Sequence, residues 1–411
     1  MFRVVLGVDY NITNDEKDFI SSSYFRINYS TTNIDQADIQ IVPYGLLEEI
    51  SIVNHSIVIH QWKGLPSFFT NSQSEISFDM LSAAFYLVSR YEEYLPYEPD
   101  LYQRFPVNKS ISYQHDFLHL PIVDLWALEL KKVILLKNSS VLFPEKKMTF
   151  IPTYDIDIAY SYLGKGVLRN LGGSARDLLS GKTKLINERL NVLRLKQEDP
   201  FDSFSYLDTL HERFHLKPIY FFLLSQGGEF DKNISPSNPH MISLIKRIEG
   251  RYETGIHPSY QSNEDKEILK EEIGLLQSKK SRQHYIRFEL PATYQNLIEL
   301  GITEDYSMGY GSMNGFRAGT SYPHVWFDLE QNKSTDLLLF PFCYMECNSF
   351  FEQKYSAEEA YTEMIHYLEI VKLTRGHLIP IWHNFSLGSD PMWKGWKEVY
   401  ERFLKKIESS V

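Results

Sequence analysis

The pattern of apolar and polar residues divides the chain into two parts, of which the first covers residues 1–147. Short apolar runs rich in β-branched residues predict strands at 4–8, 39–43 and 56–62. Apolar residues at helical spacing predict helices over 79–94, with Asp79 as the N-cap, and over 123–134. The polar, proline-marked segment Phe143-Pro144-Glu145-Lys146-Lys147 ends this part, which we predict to be a separate N-terminal α/β domain.

Strand-like runs alternate with amphipathic segments through the second part, residues 148–411. The runs predict strands at 148–154, 217–224, 252–256, 284–288, 336–342 and 376–382, with a further short strand before Asp305. Helical spacing predicts helices at 202–215, 239–249, 264–279, 291–300, 356–374 and 391–408. About seven βα units favour a barrel over an open sheet, so the expected fold class is α/β, an irregular (β/α)7-type barrel behind a separate N-terminal domain. Segment 161–201 is an insertion with several basic residues and no assigned role.

Composition narrows the possible partners and the compartment. The formal net charge is -11 and no block of Lys and Arg stands out, which argues against a nucleic-acid partner. Cys343 and Cys347 are too few for a disulfide framework and fit a reducing compartment. The N-terminus lacks a signal-peptide pattern and no apolar run is as long as a membrane span, so we expect a cytoplasmic protein with no membrane span. The aromatic content of 14% fits a carbohydrate-facing cleft and a large aromatic core equally well.

Polar side chains follow the predicted strands at their C-terminal ends, where α/β barrels gather their active sites. In chain order these residues are Asp155, Asp157, His257, Arg282, His284, Asp305 and His383. Asp155 and Asp157 are two apart, so on an extended backbone they point the same way and repel unless a cation or a proton lies between them. A metal ion with one Asp as ligand and the other as base would satisfy both; a strand end followed by a turn or a helix cap is the alternative.

Three other stretches carry polar residues with open roles. The glycine-rich segment 309–321 is predicted to be a loop over the cleft that offers Arg317 to an acidic or hydroxyl-rich substrate, with a surface turn as the alternative. Glu346 follows another strand and could line the site or flank it. Arg90, Glu92 and Glu93 are expected to be exposed helix charges, with a functional role as the alternative.

The order of these residues resembles that of the polysaccharide deacetylases, the NodB-homology esterases of carbohydrate esterase family 4. Thr153-Tyr154-Asp155-Ile156-Asp157 resembles the T-x-D-x-D form of the first motif, and Gly255-Ile256-His257-Pro258-Ser259-Tyr260-Gln261 the second, usually H-S/T-x-x-H. Arg282-Gln283-His284-Tyr285 resembles the third, usually R-x-P-Y, Asp305 stands where the fourth-motif Asp is expected, and Trp382-His383-Asn384 resembles the last. The resemblance covers roughly 148–405. The leading residues resemble the N-terminal domain of uncharacterised function that accompanies such deacetylases in Bacteroidetes-type bacteria.

The resemblance implies a metal-dependent hydrolase that removes N- or O-acetyl groups from a carbohydrate or polysaccharide precursor, with a divalent metal, zinc in the first instance, as cofactor. It implies these roles: metal ligands Asp157 and His257, general base Asp155 paired with Arg282, and general acid His383 held by Asp305. Tyr260 and Trp382, which lie beside motif residues, join Arg317 as candidate substrate contacts.

One position departs from the family pattern. Gln261 stands where the second motif usually has its second His, and a neutral amide oxygen is a poor zinc ligand. We predict His284 as the replacement ligand, with Gln261 itself, water or Glu253 as alternatives. A non-catalytic carbohydrate-binding relative and a metal-free glycosidase are the alternative functions. Adjacent carboxylates on one strand suit a metal better than a glycosidic bond, which needs carboxyl groups about 5–10 Å apart.

Overall fold

The computed structural model describes residues 1–71 and 76–409. Its strands are β1 (Ile27–Tyr29), β2 (Ile39–Ile41), β3 (His60–Trp62), β4 (Leu65–Ser67), β5 (Thr149–Phe150), β6 (Thr153–Ile156), β7 (Ile219–Phe222), β8 (Glu253–Ile256), β9 (Lys280–Ser281), β10 (Glu304–Asp305), β11 (His324–Asp328), β12 (Lys333–Leu339), β13 (His377–Leu378) and β14 (Ile381–His383). Its helices are α1 (Glu16–Ser21), α2 (Met80–Val88), α3 (Ile111–Gln114), α4 (Ile122–Lys137), α5 (Gly166–Leu179), α6 (Thr183–Leu193), α7 (Phe204–Arg213), α8 (Pro239–Glu249), α9 (Lys266–Leu275), α10 (Ala292–Glu299), α11 (Ala357–Thr374) and α12 (Trp396–Glu408). None of these helices is long and apolar enough to cross a membrane.

The N-terminal part packs helices α2 and α4 over two small sheets, parallel β1–β2 and antiparallel β3–β4. Asp79 is the N-cap of α2, as predicted, because its Oδ1 accepts hydrogen bonds from the backbone N–H groups of Leu81 and Ser82. The strand predicted at 4–8 is wrong. Phe2–Leu6 forms a π-helical turn that packs its apolar side chains on α4, so this run is buried by side-chain contact and not by pairing in a sheet.

A large sheet of eight strands forms the centre of the second part, in the order β11-β12-β10-β9-β8-β7-β6-β14. Every neighbouring pair is parallel except β11–β12. This arrangement confirms the predicted α/β class with a parallel-rich sheet. An isolated parallel bridge joins Met345, in the chain that follows β12, to Ile381 of β14 at the opposite end of the sheet. Closure into a barrel stays a prediction.

The predicted helices of the second part are confirmed to within a few residues, whereas the strand predicted at 284–288 is wrong. The sheet segment there is β9, two residues long, and His284–Ile286 forms a 3-10 turn. The chain leaves the ladder because the N–H of His284 donates to Pro258 O, and Tyr285 then takes a positive φ of 59°. This turn, and not an extended strand, decides where the side chain of His284 points.

Buried charges join the N-terminal part to the glycine-rich segment 309–321. Arg90, Glu92 and Glu93 are 1%, 8% and 4% exposed, so the expectation of exposed helix charges is wrong. Glu93 holds Arg317 in a two-point ion pair, with Nε–Oε1 2.8 Å and Nη2–Oε2 2.5 Å. The segment packs against the N-terminal part because tertiary contacts satisfy its one Arg, which corrects the prediction of a loop over the cleft.

Candidate metal centre

Parallel strands deliver the predicted side chains to one edge of the large sheet. Asp155 lies in β6 with Asp157 directly after it, and His257 directly follows β8. Arg282 follows β9, and His383 is the last residue of β14, where it pairs in register with Asp155. Because the carboxyl ends of parallel strands share an edge, side chains from distant parts of the sequence meet there.

Asp157 lies at the centre of this group. Its Oδ1 lies 3.2 Å from Nε2 of His257, and its Oδ2 lies 3.5 Å from Nε2 of His284 and 3.5 Å from Nε2 of His383. Donor atoms of Asp157, His257 and His284 all lie within 4.8 Å of one another. Oδ1 of Asp157 is buried and accepts no hydrogen bond from the described residues. One carboxylate and two imidazoles are also a donor set that catalytic zinc sites use.

A second contact fixes the orientation of each histidine ring. Nδ1 of His257 donates to the backbone carbonyl of Arg282 over 2.5 Å, Nδ1 of His284 donates to Asp231 over 2.8 Å, and Nδ1 of His383 donates to Glu346 over 2.8 Å. Carbonyl and carboxylate oxygens only accept, so the proton of each neutral ring lies on Nδ1 and Nε2 keeps its lone pair. Whenever one of these rings is neutral, its Nε2 lone pair therefore faces the space around Asp157.

Asp155 is held by Arg282 behind this cluster. Nη1 of Arg282 donates to Oδ1 of Asp155 and to Oγ1 of Thr153, both over 2.8 Å, and the Arg282 side chain is fully buried. The other oxygen of Asp155, Oδ2, lies 3.8 Å from Nε2 of His257. One carboxylate oxygen is therefore fixed by the cation, and the other faces the histidine cluster.

The charges of the cluster shift the proton affinities of its members. Burial alone would raise the pKa of Asp157, but His284 and His383 hold it well below its usual range. Burial alone would lower the pKa of His284, but Asp157 and Asp231 raise it to about 9. The pKa of His383 likewise lies well above its usual value, because Cys347, Glu346 and Asp157 outweigh burial. The carboxylate and the protonated imidazoles thus stabilise one another. A bound cation would take the place of the protons on these rings.

The structure replaces Asp305 with Glu346 as the partner of His383. Asp305 accepts hydrogen bonds from Ser281 and Ser307, over 2.8 to 2.9 Å, and these serines occupy both of its oxygens. Glu346 is 0% exposed, and its Oε1 accepts from both the ring Nδ1 and the backbone N–H of His383. The assignment of Asp305 as the residue that holds the acid is therefore corrected. A bend after β12 brings Glu346 beside β14, and spacing along the sequence does not reveal it.

Two of the three substrate contacts expected from the sequence are buried away from the centre. Trp382 is 0% exposed and packs on Tyr400, with 4.6 Å between ring centroids. Arg317 is 1% exposed in its ion pair with Glu93. Neither side chain can contact a substrate in this arrangement. Alternation along β14 turns Trp382 to the opposite face from His383, and the buried ion pair holds Arg317. Tyr260 is half-buried close to the cluster and stays a candidate.

The position that departs from the family pattern lies outside the cluster. Gln261 is exposed, begins a 3-10 turn and rests its amide against Gly228. His284 lies in the cluster instead, so the structure places the predicted replacement residue beside Asp157 and His257. Asp231, which orients His284, was missed because it lies in an irregular loop after β7 with no periodic pattern around it.

Four half-buried aromatic residues, Tyr102, Phe230, Tyr260 and Tyr285, form an aromatic rim beside His284. Tyr285 lies 4.6 Å from His284 and 4.9 Å from Tyr102, and Phe230 lies 4.2 Å from Tyr260, measured between ring centroids. Tyr102 belongs to the N-terminal part, where Arg104 fixes the contact by donating to the carbonyl of Tyr285 over 2.8 Å. Both parts of the chain therefore contribute to the rim.

Comparisons with known proteins give a partial placement. Residues 1–139 match a family model described as a family of unknown function (DUF7033). No curated protein matches the chain. A solved structure described as a "putative polysaccharide deacetylase from Mycobacterium smegmatis" is similar over 66% of this chain and 87% of that chain, at 13% sequence identity and a TM-score of 0.42.

Proposed function

We propose that the chain is a metal-dependent hydrolase that removes acetyl groups from a carbohydrate or a polysaccharide precursor. The observation that carries the proposal is the cluster of His257, His284 and His383 around Asp157, with Asp155 fixed by Arg282 behind it. This combination supplies a cation site, a separate carboxylate base and a third imidazole. The order of motifs along the sequence supports acetylated sugars as the substrate class. We further propose that the large sheet closes into an irregular barrel through the Met345–Ile381 bridge.

The residues present fit a divalent metal. Asp157, His257 and His284 supply one oxygen and two nitrogen donors, the set expected of a catalytic zinc site with room for water and substrate. A metal held there would polarise the acetyl carbonyl and lower the pKa of the attacking water. Asp231 and the carbonyl of Arg282 hold the two rings in place, as metal-binding histidines require.

The chain's own residues divide the proton transfers of the reaction. Asp155 accepts a proton from water as the water oxygen attacks the acetyl carbonyl carbon, and Arg282 keeps that carboxylate oriented. His383 donates a proton from Nε2 to the leaving nitrogen or oxygen as its bond to the carbonyl carbon breaks. Glu346 holds Nδ1 of His383 and stabilises the imidazolium. Acetate and a free amino or hydroxyl group of the sugar are the products.

The aromatic rim suits a sugar ring. Its four side chains are half-buried, so each keeps part of its surface open to solvent. Aromatic faces bury the apolar C–H face of a pyranose while its hydroxyl groups remain in water. Because Tyr102 comes from residues 1–139, we propose that this N-terminal part completes the substrate-binding wall.

Substitution of Tyr102 by Ala should raise KM for an acetylated chito-oligosaccharide by about 3–10-fold and leave kcat within about twofold, because one stacking surface is lost far from the reacting bond. Steady-state measurement of acetate release gives both constants. The matched control is Tyr24→Ala, which removes a 76% exposed tyrosine from the same part of the chain. Equal KM values for Tyr102→Ala and Tyr24→Ala would contradict a role for Tyr102.

Acetate release from N-acetylated chito-oligosaccharides by the zinc-loaded protein tests the function itself. Asp155→Asn should reduce kcat by at least about 100-fold while the metal content stays unchanged, because the amide keeps the shape and loses the base. No acetate release from N-acetylated or O-acetylated sugars by fully metal-loaded protein would refute the deacetylase proposal.

A further inference from the structure

The insertion 161–201 forms a helical hairpin of α5 and α6, here called the basic hairpin, and α5 exposes an apolar face. The face consists of Val167, Leu168, Leu171, Leu178 and Leu179, which are 74%, 86%, 62%, 62% and 89% exposed. At about 100° per residue these positions fall within roughly 120° of the helix circumference. Apolar side chains exposed to this degree are individually ordinary, but four leucines and a valine on one side of one helix make an apolar surface.

The hairpin is basic although the chain is acidic. Its exposed cations are Arg169, Arg176, Lys182, Lys184, Arg194 and Lys196. Two of its acidic residues are used internally, because Asp177 pairs with Arg189 over 2.8 Å and Glu188 accepts from Tyr162. The hairpin therefore presents net positive charge on a protein whose formal net charge is -11. On α5, Arg169 and Arg176 lie along one border of the apolar face.

Internal contacts hold the hairpin together without using this face. Arg189 of α6 donates to Ser174 of α5 over 2.8 Å as well as pairing with Asp177. At the base, Asp199 is buried and accepts hydrogen bonds from the backbone N–H groups of Ser161, Tyr162 and Leu163. These contacts hold α5, α6 and the base of the hairpin together, and the apolar face of α5 stays exposed.

We propose that the basic hairpin docks on the surface of an anionic lipid bilayer. A helix with an apolar face bordered by Arg and Lys lies in the interface plane, with its leucines among the acyl chains and its cations among anionic headgroups. The charge pattern favours this occupant over symmetric pairing with the hairpin of a second copy, since two hairpins would bring like charges together. The hairpin follows β6 directly, so docking places the edge of the sheet that carries Asp157 close to the headgroups.

Co-sedimentation of the full chain with lipid vesicles tests the proposal and needs no enzymatic activity. Binding should be strong to vesicles of phosphatidylglycerol and phosphatidylcholine in equal parts, and weaker to phosphatidylcholine alone. The variant Leu168→Glu/Leu179→Glu should bind the anionic vesicles at least about tenfold more weakly. Charge reversal in Lys182→Glu/Lys184→Glu/Arg194→Glu should abolish the preference for the anionic vesicles.

The matched control is Leu136→Glu/Leu142→Glu, which changes two leucines that are 86% and 87% exposed outside the hairpin. It should bind like wild type, and all variants should keep the wild-type unfolding temperature because the changed side chains are exposed. Wild-type protein that stays in the supernatant with both vesicle types overturns the proposal. So does undiminished binding by Leu168→Glu/Leu179→Glu. A wild-type dimer that this variant converts to a monomer assigns the face to a second copy and also overturns it.

Discussion

Replacement of Asp157 by Ala should remove the metal from the protein. Wild type purified without chelator is expected to carry about one zinc ion per chain, and the variant close to none. Asp157 is the shared anionic donor, since its two oxygens lie 3.2 to 3.5 Å from Nε2 of three histidines. Without it, the site loses the one carboxylate that lies between the three rings, and only imidazole donors remain from the proposed ligand set. Elemental analysis by plasma mass spectrometry after dialysis measures the stoichiometry directly.

Two substitutions, compared with each other, show which residue is the third ligand. His284→Ala should weaken zinc binding at least about 100-fold, because two protein donors remain. Gln261→Ala should leave zinc binding unchanged, since Gln261 is exposed and its amide rests against Gly228. The reverse result, with metal lost from Gln261→Ala and kept by His284→Ala, would return the ligand role to the position that the family pattern names. Wild type that binds no metal under any loading condition would remove the metal mechanism altogether.

Local rules were enough to predict much of this centre from the sequence. The period of two along a strand places Asp155 and Asp157 on one side, and the shared edge of parallel strands brings His257 and His383 to them. Arg282 was placed by the order of the motifs, because the strand predicted at 284–288 is wrong. The residues that orient the histidine rings were not predicted. Asp231 lies in an irregular loop, and Glu346 reaches His383 only because the chain bends back after β12. Helical spacing also predicted α2 and its N-cap. It does not predict that tertiary contacts bury the charges of Arg90, Glu92 and Glu93.

The burial of Arg317 was also not predicted from the sequence. Its surroundings in sequence are glycine-rich and polar, which is typical of an exposed loop, yet the guanidinium is 1% exposed. It pairs with Glu93 of the N-terminal part, donates to the carbonyl of Gly309 over 2.9 Å, and lies over the ring of Phe288. Glu93 and Phe288 lie outside the glycine-rich segment, so only the assembled fold reveals that the charge is structural.

Glu93→Ala should therefore lower the free energy of unfolding by about 3–5 kcal/mol, since it leaves two buried guanidinium groups without their shared carboxylate. Glu93 accepts hydrogen bonds from Arg90 over 2.6 Å and from Arg317 over 2.5 and 2.8 Å. Urea unfolding followed by far-UV circular dichroism and by tryptophan fluorescence gives the value where the two transitions coincide. The matched control, Glu401→Ala, removes the partly exposed partner of Arg213 and should cost less than about 1 kcal/mol.

The pH dependence separates the charge of Glu93 from its packing. Burial alone would raise the pKa of Glu93, but Arg317 and Arg90 lower it below its usual value. A carboxylate with a lowered pKa in the folded protein contributes stability at pH values above its ordinary range and loses it as the pH falls through the lowered value. The stability difference between wild type and Glu93→Ala should consequently shrink below about pH 4. A difference that stays constant from neutral to acidic pH would attribute the loss to a cavity. Equal stabilities for Glu93→Ala and Glu401→Ala would show that the buried charges do not hold the N-terminal part against the glycine-rich segment.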